Sequence, residues 1–144
     1  MAANTIPIYS KAGQISWGPA LLQTANTAMD GTGTVVILFT AGANGGRVER
    51  IRFKAAGTNV ATVVRIFINN GSTNATAANN ILYAEKTIAA TTASAAAALL
   101  TNEMPDTTDT TAFPIVLPPG YTIIATIGTT VAAGLYLMAV GSSY

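Results

Sequence analysis

The 144-residue chain contains neither cysteine nor histidine. Their absence excludes disulfides, thiolate nucleophiles, Cys/His zinc sites and acid–base catalysis by histidine. Charge is also scarce, because Asp, Glu, Lys and Arg make up only 9% of the residues and the formal net charge is +1. The charge balance thus excludes a general attraction to nucleic acid or to an anionic membrane, and any electrostatic function has to be local.

Patterns of catalytic and targeting residues are missing as well. The glycine-rich GANGGR at 42–47 lacks the Lys-Ser/Thr pair and the following helix of a phosphate loop. Glu103, Asp106 and Asp109 could ligate calcium, but their spacing is not that of an EF-hand, which favours a solvated loop. We therefore predict no enzymatic activity, no cofactor and no metal site. The sequence shows no secretory signal and no apolar run long enough for a membrane span.

The residues that are abundant favour strands and turns. Thr and β-branched residues suit strands, and Asn and Gly suit turns. Short apolar or alternating segments recur between turn signals, without a βαβ rhythm, which indicates a single-domain all-β sandwich or barrel. The run 34–40 predicts a strand buried on both faces, or nearly so. The alanine-rich segment 93–104 is compatible with a helix or a strand, and its all-β surroundings favour a strand.

A short basic stretch, RVERIRFK at 47–54, carries four of the seven Lys and Arg residues. Apolar and basic residues alternate in it with period two, so one side enters the core and the other presents Arg50, Arg52 and Lys54. The apolar positions change phase before Ile51, which predicts a β-bulge near Glu49.

The basic stretch has three possible roles. Nucleic acid binding would need exposed aromatic residues between the charges, but Phe53 is expected to point inward. A solvated strand face is the second possibility. The third is docking on an acidic protein surface, for which arginine is suited by bidentate pairing with carboxylates. Arg65 extends the basic row if its strand pairs with the first as a hairpin, and the candidate interface residues are Arg47, Arg50, Arg52, Lys54 and Arg65.

The first 30 residues have little periodicity and are predicted to form an extended N-terminal arm with a short strand, followed by a β-sandwich domain at 31–144. The arm carries Ile6, Ile8 and Tyr9, which are available to contact a neighbouring subunit. Trp17 is expected to be a core or interface anchor rather than a ligand platform.

The order of several segments resembles a family of tailed-bacteriophage virion proteins, the capsid decoration or head auxiliary proteins. The segments are RIRFKAAGTN, RIFINNG, the LPPGY turn and the C-terminal VGSSY, and the similarity extends over 31–144. They are strand-and-turn patterns rather than catalytic motifs.

This resemblance implies a jelly-roll-like antiparallel β-sandwich that binds the major capsid protein on the outer surface of a phage head and stabilises the head. It also implies a homo-oligomer, expected to be a trimer, which is made in the host cytoplasm and located in the virion, with no nucleic acid or membrane partner. One alternative is a tail or fibre component that binds host glycans through Tyr83, Tyr121, Tyr136 or Tyr144. Another is a subunit of a self-assembling filament or tube.

Overall fold

The computed structural model describes residues 12–18, 21–105 and 112–144, in which nine strands form two antiparallel sheets around one core. This confirms the predicted all-β sandwich. A single turn of 3-10 helix lies at Ala77–Asn79. The strands are β1 (Ala12–Trp17), β2 (Val36–Thr40), β3 (Gly46–Ala55), β4 (Thr62–Asn69), β5 (Asn80–Ile88), β6 (Thr101–Met104), β7 (Ile115–Leu117), β8 (Thr122–Ile127) and β9 (Leu135–Ser143).

The first sheet has five strands in the order β1-β9-β3-β6, and β7 also pairs with β3. Because β9 occupies one edge of β3, the short strands β6 and β7 share its other edge, at 51–54 and 46–48 respectively. The second sheet has the order β2-β8-β4-β5. This strand order does not establish a jelly roll, so that part of the expectation stays a prediction.

The core consists of side chains from both sheets. On β3, Ile51 and Phe53 are fully buried and Ala55 is 4% exposed, which confirms the inward side of the predicted alternation. The largest fully buried side chains are Phe39, Phe53, Phe67, Leu38, Ile51, Ile66, Met104, Ile123, Ile124, Ile127, Leu135 and Val48. Burial of this much aliphatic and aromatic surface supplies the main driving force for folding.

The predicted β-bulge is present on β3. Its pairing with β9 shifts register between Val48 and Arg50, so Glu49 and Arg50 are both exposed. Gly141 on β9 lies opposite the bulge, where a Cβ atom would come within 2.1 Å of the Arg47 carbonyl oxygen. Only glycine allows the two backbones to approach so closely.

Two expectations about individual segments are wrong. β2 is an edge strand of the second sheet, and no strand packs over its outward-facing side chains. Ile37 is therefore 52% exposed, and β2 is not buried on both faces. The segment 93–104 is a strand only at Thr101–Met104, and 93–100 form neither strand nor helix. The side chains of 93–98 are exposed, so no buried apolar face holds these alanines in a regular element.

The N-terminal segment contributes a strand to the first sheet. β1 pairs with β9 in continuous register from Ala12 to Trp17. Leu22 is 3% exposed, and its backbone exchanges two hydrogen bonds with Leu135 at 3.1 and 3.0 Å. The described part of 1–30 therefore lies against the sandwich, and the domain boundary at residue 30 stays a prediction. Ile6, Ile8 and Tyr9 lie outside the described residues.

Candidate docking face

The outward-pointing side chains of the first sheet form one continuous surface, which we call the outer face. Residues opposite each other on antiparallel strands point to the same side, so the strand registers define its rows. There are four rows: Gly13–Ser142–Arg47–Val116, Ile15–Val140–Arg50, Trp17–Met138–Arg52–Glu103, and Tyr136–Lys54–Thr101.

The bulge gathers the basic residues on this face. Arg47 has odd parity in the chain, whereas Arg50, Arg52 and Lys54 have even parity, so a regular strand would place Arg47 on the core side. The extra residue at Glu49 reverses the phase, and Arg47 joins the other three. Four cations and the carboxylates of Glu49 and Glu103 lie on the outer face, which leaves a net charge of +2.

Two of the four cations are held in ion pairs within the sheet. Arg47 Nε lies 2.6 Å from Glu49 Oε1, and Arg52 Nε donates a hydrogen bond to Glu103 Oε1. These side chains are between 33% and 48% exposed, so each pair contributes less than about 1 kcal/mol to stability. Arg50 and Lys54 have no ion pair with any described residue. They lie four residues apart on one strand, about 13 Å.

The other half of the outer face is apolar. Ile15 and Trp17 on β1 are 58% and 69% exposed, and Tyr136 on β9 is 58% exposed. Met138 and Val140 are half-buried between them and the basic strand. Trp17 was expected to be a core residue or an interface anchor, and its exposure excludes the core, because it lies opposite Met138 on the outward side of the sheet. The interface-anchor alternative is the one that its position allows.

A shallow hollow lies where the apolar and basic halves meet. Its volume is about 200 Å³, and it is lined by Arg52, Lys54, Thr101, Tyr136 and Met138. It offers an aromatic ring, a thioether, a free ammonium group and a threonine hydroxyl side by side. A carboxylate-bearing side chain or a polar group with an apolar stem would find complementary chemistry there.

Arg65 does not belong to this face, and the expectation that it extends the basic row is wrong. β3 and β4 do not pair as a hairpin but lie in different sheets, because the chain crosses the sandwich between them. Arg65 lies on the outer side of the second sheet, where its Nε donates a 2.8 Å hydrogen bond to Glu85 Oε1. Its side chain is only 13% exposed, and its guanidinium lies close to Gly128.

The positions of the aromatic side chains bear on the nucleic-acid and glycan alternatives. Phe53 points inward as expected, but Trp17 and Tyr136 provide the exposed aromatic side chains whose absence had argued against nucleic acid. The small net charge of the outer face remains as an argument against it. The structure does not bring together the four tyrosines considered for glycan binding: Tyr83 packs edge to face on Phe113 at 6.3 Å, and Tyr121 packs against the core.

Sequence reasoning missed the apolar half of the outer face. The signal was present in β9, whose sequence LYLMAV is apolar at every position and so predicts burial on both sides. In the structure Leu135, Leu137 and Ala139 enter the core, while Tyr136, Met138 and Val140 point outward.

Neither a metal site nor a membrane-spanning helix is evident in the described residues. Within 12–18, 21–105 and 112–144 there is no group of three side chains suited to metal binding, and no helix with the length and hydrophobicity to cross a membrane. Asp106 and Asp109, considered with Glu103 for calcium, lie outside the described residues. Comparison of the chain with protein-family models, curated proteins and solved structures finds no match.

Proposed function

We propose that this protein is a structural virion protein that binds the outer surface of a phage capsid and stabilises the head. The observation that carries the proposal is the outer face, where an exposed apolar strip borders Arg50 and Lys54, two cations that have no ion pair within the described residues and can pair with an acidic partner. The resemblance of 31–144 to head decoration proteins supports the same conclusion.

The outer face has the composition of a protein interface rather than of an ordinary solvated surface. Trp, Tyr, Met and Arg are enriched in protein–protein interfaces, and Trp17, Tyr136, Met138 and Arg52 are neighbours here. A partner with carboxylates about 13 Å apart would pair with Arg50 and Lys54. A homo-oligomer that engages several such contacts at once would attach more tightly than a single copy, even when each contact is weak.

The test uses phage heads that lack the protein. Wild-type protein is expected to bind them and to appear as ordered density on the outside of the shell by cryo-electron microscopy. The double variant Arg50→Gln/Lys54→Gln removes both unpaired cations. We expect it to bind at least about tenfold more weakly, since the loss of about 1.4 kcal/mol from two charge-assisted contacts has that effect. Its remaining binding should depend less on salt.

A matched control makes the same change in net charge elsewhere. Ala75→Glu/Ala78→Glu also lowers the charge by two, on exposed residues of the loop between β4 and β5 in the second sheet. This control should bind as the wild type does. Equal binding by the folded Arg50/Lys54 variant, or bare heads with wild-type protein, would refute the proposal.

A second candidate is a tail component that binds host glycans, which the hollow beside Tyr136 favours. An exposed aromatic ring next to polar groups is the arrangement that a sugar ring would need, and Lys54 and Thr101 supply those groups. On a glycan array, binding that is lost in Tyr136→Ala would support this candidate. An array without signal, together with binding to heads, would leave capsid attachment as the function.

A further inference from the structure

The two sides of the sandwich differ in how their strand edges are protected. On one side, the edge strands are β6, β7 and β5. Glu103 lies in β6, Pro114 and Pro118 flank β7, and Glu85 and Lys86 lie in β5. Charges, prolines and short strands are the features that prevent the unpaired edge of a sheet from pairing with another chain.

The opposite side has no charged residue or proline within its edge strands, whereas Lys11 precedes its strand β1 and Pro19 follows that strand by two residues. Its edge strands are β1 and β2, and neither AGQISW nor VILFT contains a charged residue or a proline. β1 pairs with β9 without a bulge, and its other edge has no partner within the described residues. An uncharged, regular strand of six residues with a free edge is a template for pairing with another strand.

The side-chain pattern of β1 is also the reverse of the one expected for a monomer, with polar residues on the core side and apolar residues on the solvent side. Gln14 and Ser16 share the core side of the sheet with Ala139, whereas Ile15 and Trp17 point to solvent. A strand at the edge of an isolated sandwich would present the opposite pattern. The pattern becomes favourable when the outward side chains of β1 gain apolar neighbours.

We propose that β1 pairs antiparallel with β1 of a second copy of this chain about a two-fold axis, joining two five-stranded sheets into one of ten strands. A two-fold axis makes identical strands antiparallel, so one surface serves both copies. A register with Ser16 opposite Ser16 of the second copy places Ile15 opposite Trp17 in both halves, so the two β1 strands pair directly over Ile15–Trp17. Aromatic and β-branched residues form favourable cross-strand pairs.

Charge favours this edge pairing over packing of one outer face on another. Face-to-face packing would bring the unpaired Arg50 and Lys54 of one copy near those of the other. Edge pairing instead separates the two β3 strands by five strand spacings, about 24 Å. That distance is beyond the Debye length of about 8 Å at physiological salt, so the two basic rows do not repel each other appreciably.

The first test is the mass of the free protein by sedimentation equilibrium, and it requires no capsid. We expect a dimer of twice the 14.6 kDa chain mass, and not the trimer that the resemblance implies. Ile15→Lys/Trp17→Lys should weaken dimerisation by about 100-fold or more, because like charges then face each other across the joined strands. Since both side chains are exposed in the single chain, the thermal stability of the variant's monomer should be retained.

The control for this variant is Leu100→Lys/Val116→Lys. These residues are 76% and 68% exposed; Leu100 directly precedes β6 and Val116 lies in β7, on the protected side of the first sheet. This double variant should remain a dimer. A dimer that persists in the Ile15/Trp17 variant, or a dimer that the control abolishes equally, would overturn the proposal.

Single cysteines then test the geometry, since the native chain has none. Residues that lie opposite their own copies across the two-fold axis are within disulfide distance. Oxidised Ser16→Cys should therefore form a disulfide-linked dimer in the register described above. Ile15→Cys should form one instead if Ile15 lies on the axis. Val116→Cys should not. A monomeric or trimeric wild type, or no cross-link at either position, would refute two-fold pairing. Because the protein is tested alone, these results are distinguishable from failure to bind heads.

Discussion

Thr126 offers a test of how buried polar groups are accommodated in this sandwich. It lies on β8, opposite Arg65, and is fully buried. Its hydroxyl has no hydrogen-bond partner among the described residues. Thr62 on β4 is also buried, but its hydroxyl donates to the Thr129 carbonyl at 3.1 Å and accepts from the Thr129 amide at 3.0 Å. The same substitution to valine should therefore have opposite effects at these two positions.

The expected magnitudes follow from these contacts. Burying a hydroxyl without a partner costs about 1–3 kcal/mol, and valine keeps the shape of the side chain. Thr126→Val should therefore raise the free energy of unfolding by at least about 1 kcal/mol. Thr62→Val loses two hydrogen bonds of about 1 kcal/mol each. Because Thr129 is exposed, water can replace these hydrogen bonds in part. The free energy of unfolding should therefore fall by about 1–2 kcal/mol. At about 2–4 °C per kcal/mol, the two midpoints should differ by at least about 4 °C.

Urea and thermal unfolding followed by far-ultraviolet circular dichroism measure both variants. All proteins are compared at one concentration, because self-association would otherwise change the apparent stability. The urea m-value should stay constant, which shows that the substitution changed stability rather than the compactness of either state. Equal destabilisation by the two substitutions would contradict the reasoning, since it would mean that the Thr126 hydroxyl is satisfied in the folded protein.

Two further predictions concern a close backbone contact and a carboxylate. Gly141→Ala should lower the free energy of unfolding by about 3 kcal/mol, because its Cβ would lie 2.1 Å from the Arg47 carbonyl oxygen. Gly13→Ala should change the free energy of unfolding by less than about 0.5 kcal/mol, because no described heavy atom lies within 4 Å of its Cβ. Chemical denaturation measures both variants. The Thr32 hydroxyl and amide donate hydrogen bonds to Asp30, which lower the pKa of this carboxyl below its usual value. A lowered pKa contributes stability above pH 4 that is lost as the pH falls through it, so Asp30→Asn should show a smaller loss of stability than the wild type in an acid titration.

The outer face concentrates much of the charge of a protein that has little of it. The bulge at Glu49 places four cations on one side of β3, and the two glutamates neutralise half of that charge. Specificity would then depend on Arg50 and Lys54, and affinity on the apolar residues beside them. Such a division between charged and apolar contacts is typical of protein interfaces, in which charge steers association and buried aromatic residues dominate the binding energy.

Local patterns in the sequence predicted much of the fold. The alternation of 50–55 and the phase change before Ile51 were sufficient to predict a strand, its buried side and its bulge. The reason is that side-chain direction in a strand follows from parity alone. Asn-Gly and Pro-Pro-Gly signals were sufficient for turns. The prediction of a strand failed for the alanine-rich 93–100, because most of these side chains are exposed and no packing partner holds them in a regular element.

The sequence by itself determined the all-β class, the basic outward side of β3 and the scarcity of chemistry for catalysis, since each depends on residue type and on neighbours along the chain. Only the tertiary structure decided that Arg65 lies in the other sheet and that Trp17 and Tyr136 lie beside the basic row. The physical reason is that β1 and β9 come from opposite ends of the chain. Their pairing depends on long-range packing and register, which no local periodicity encodes.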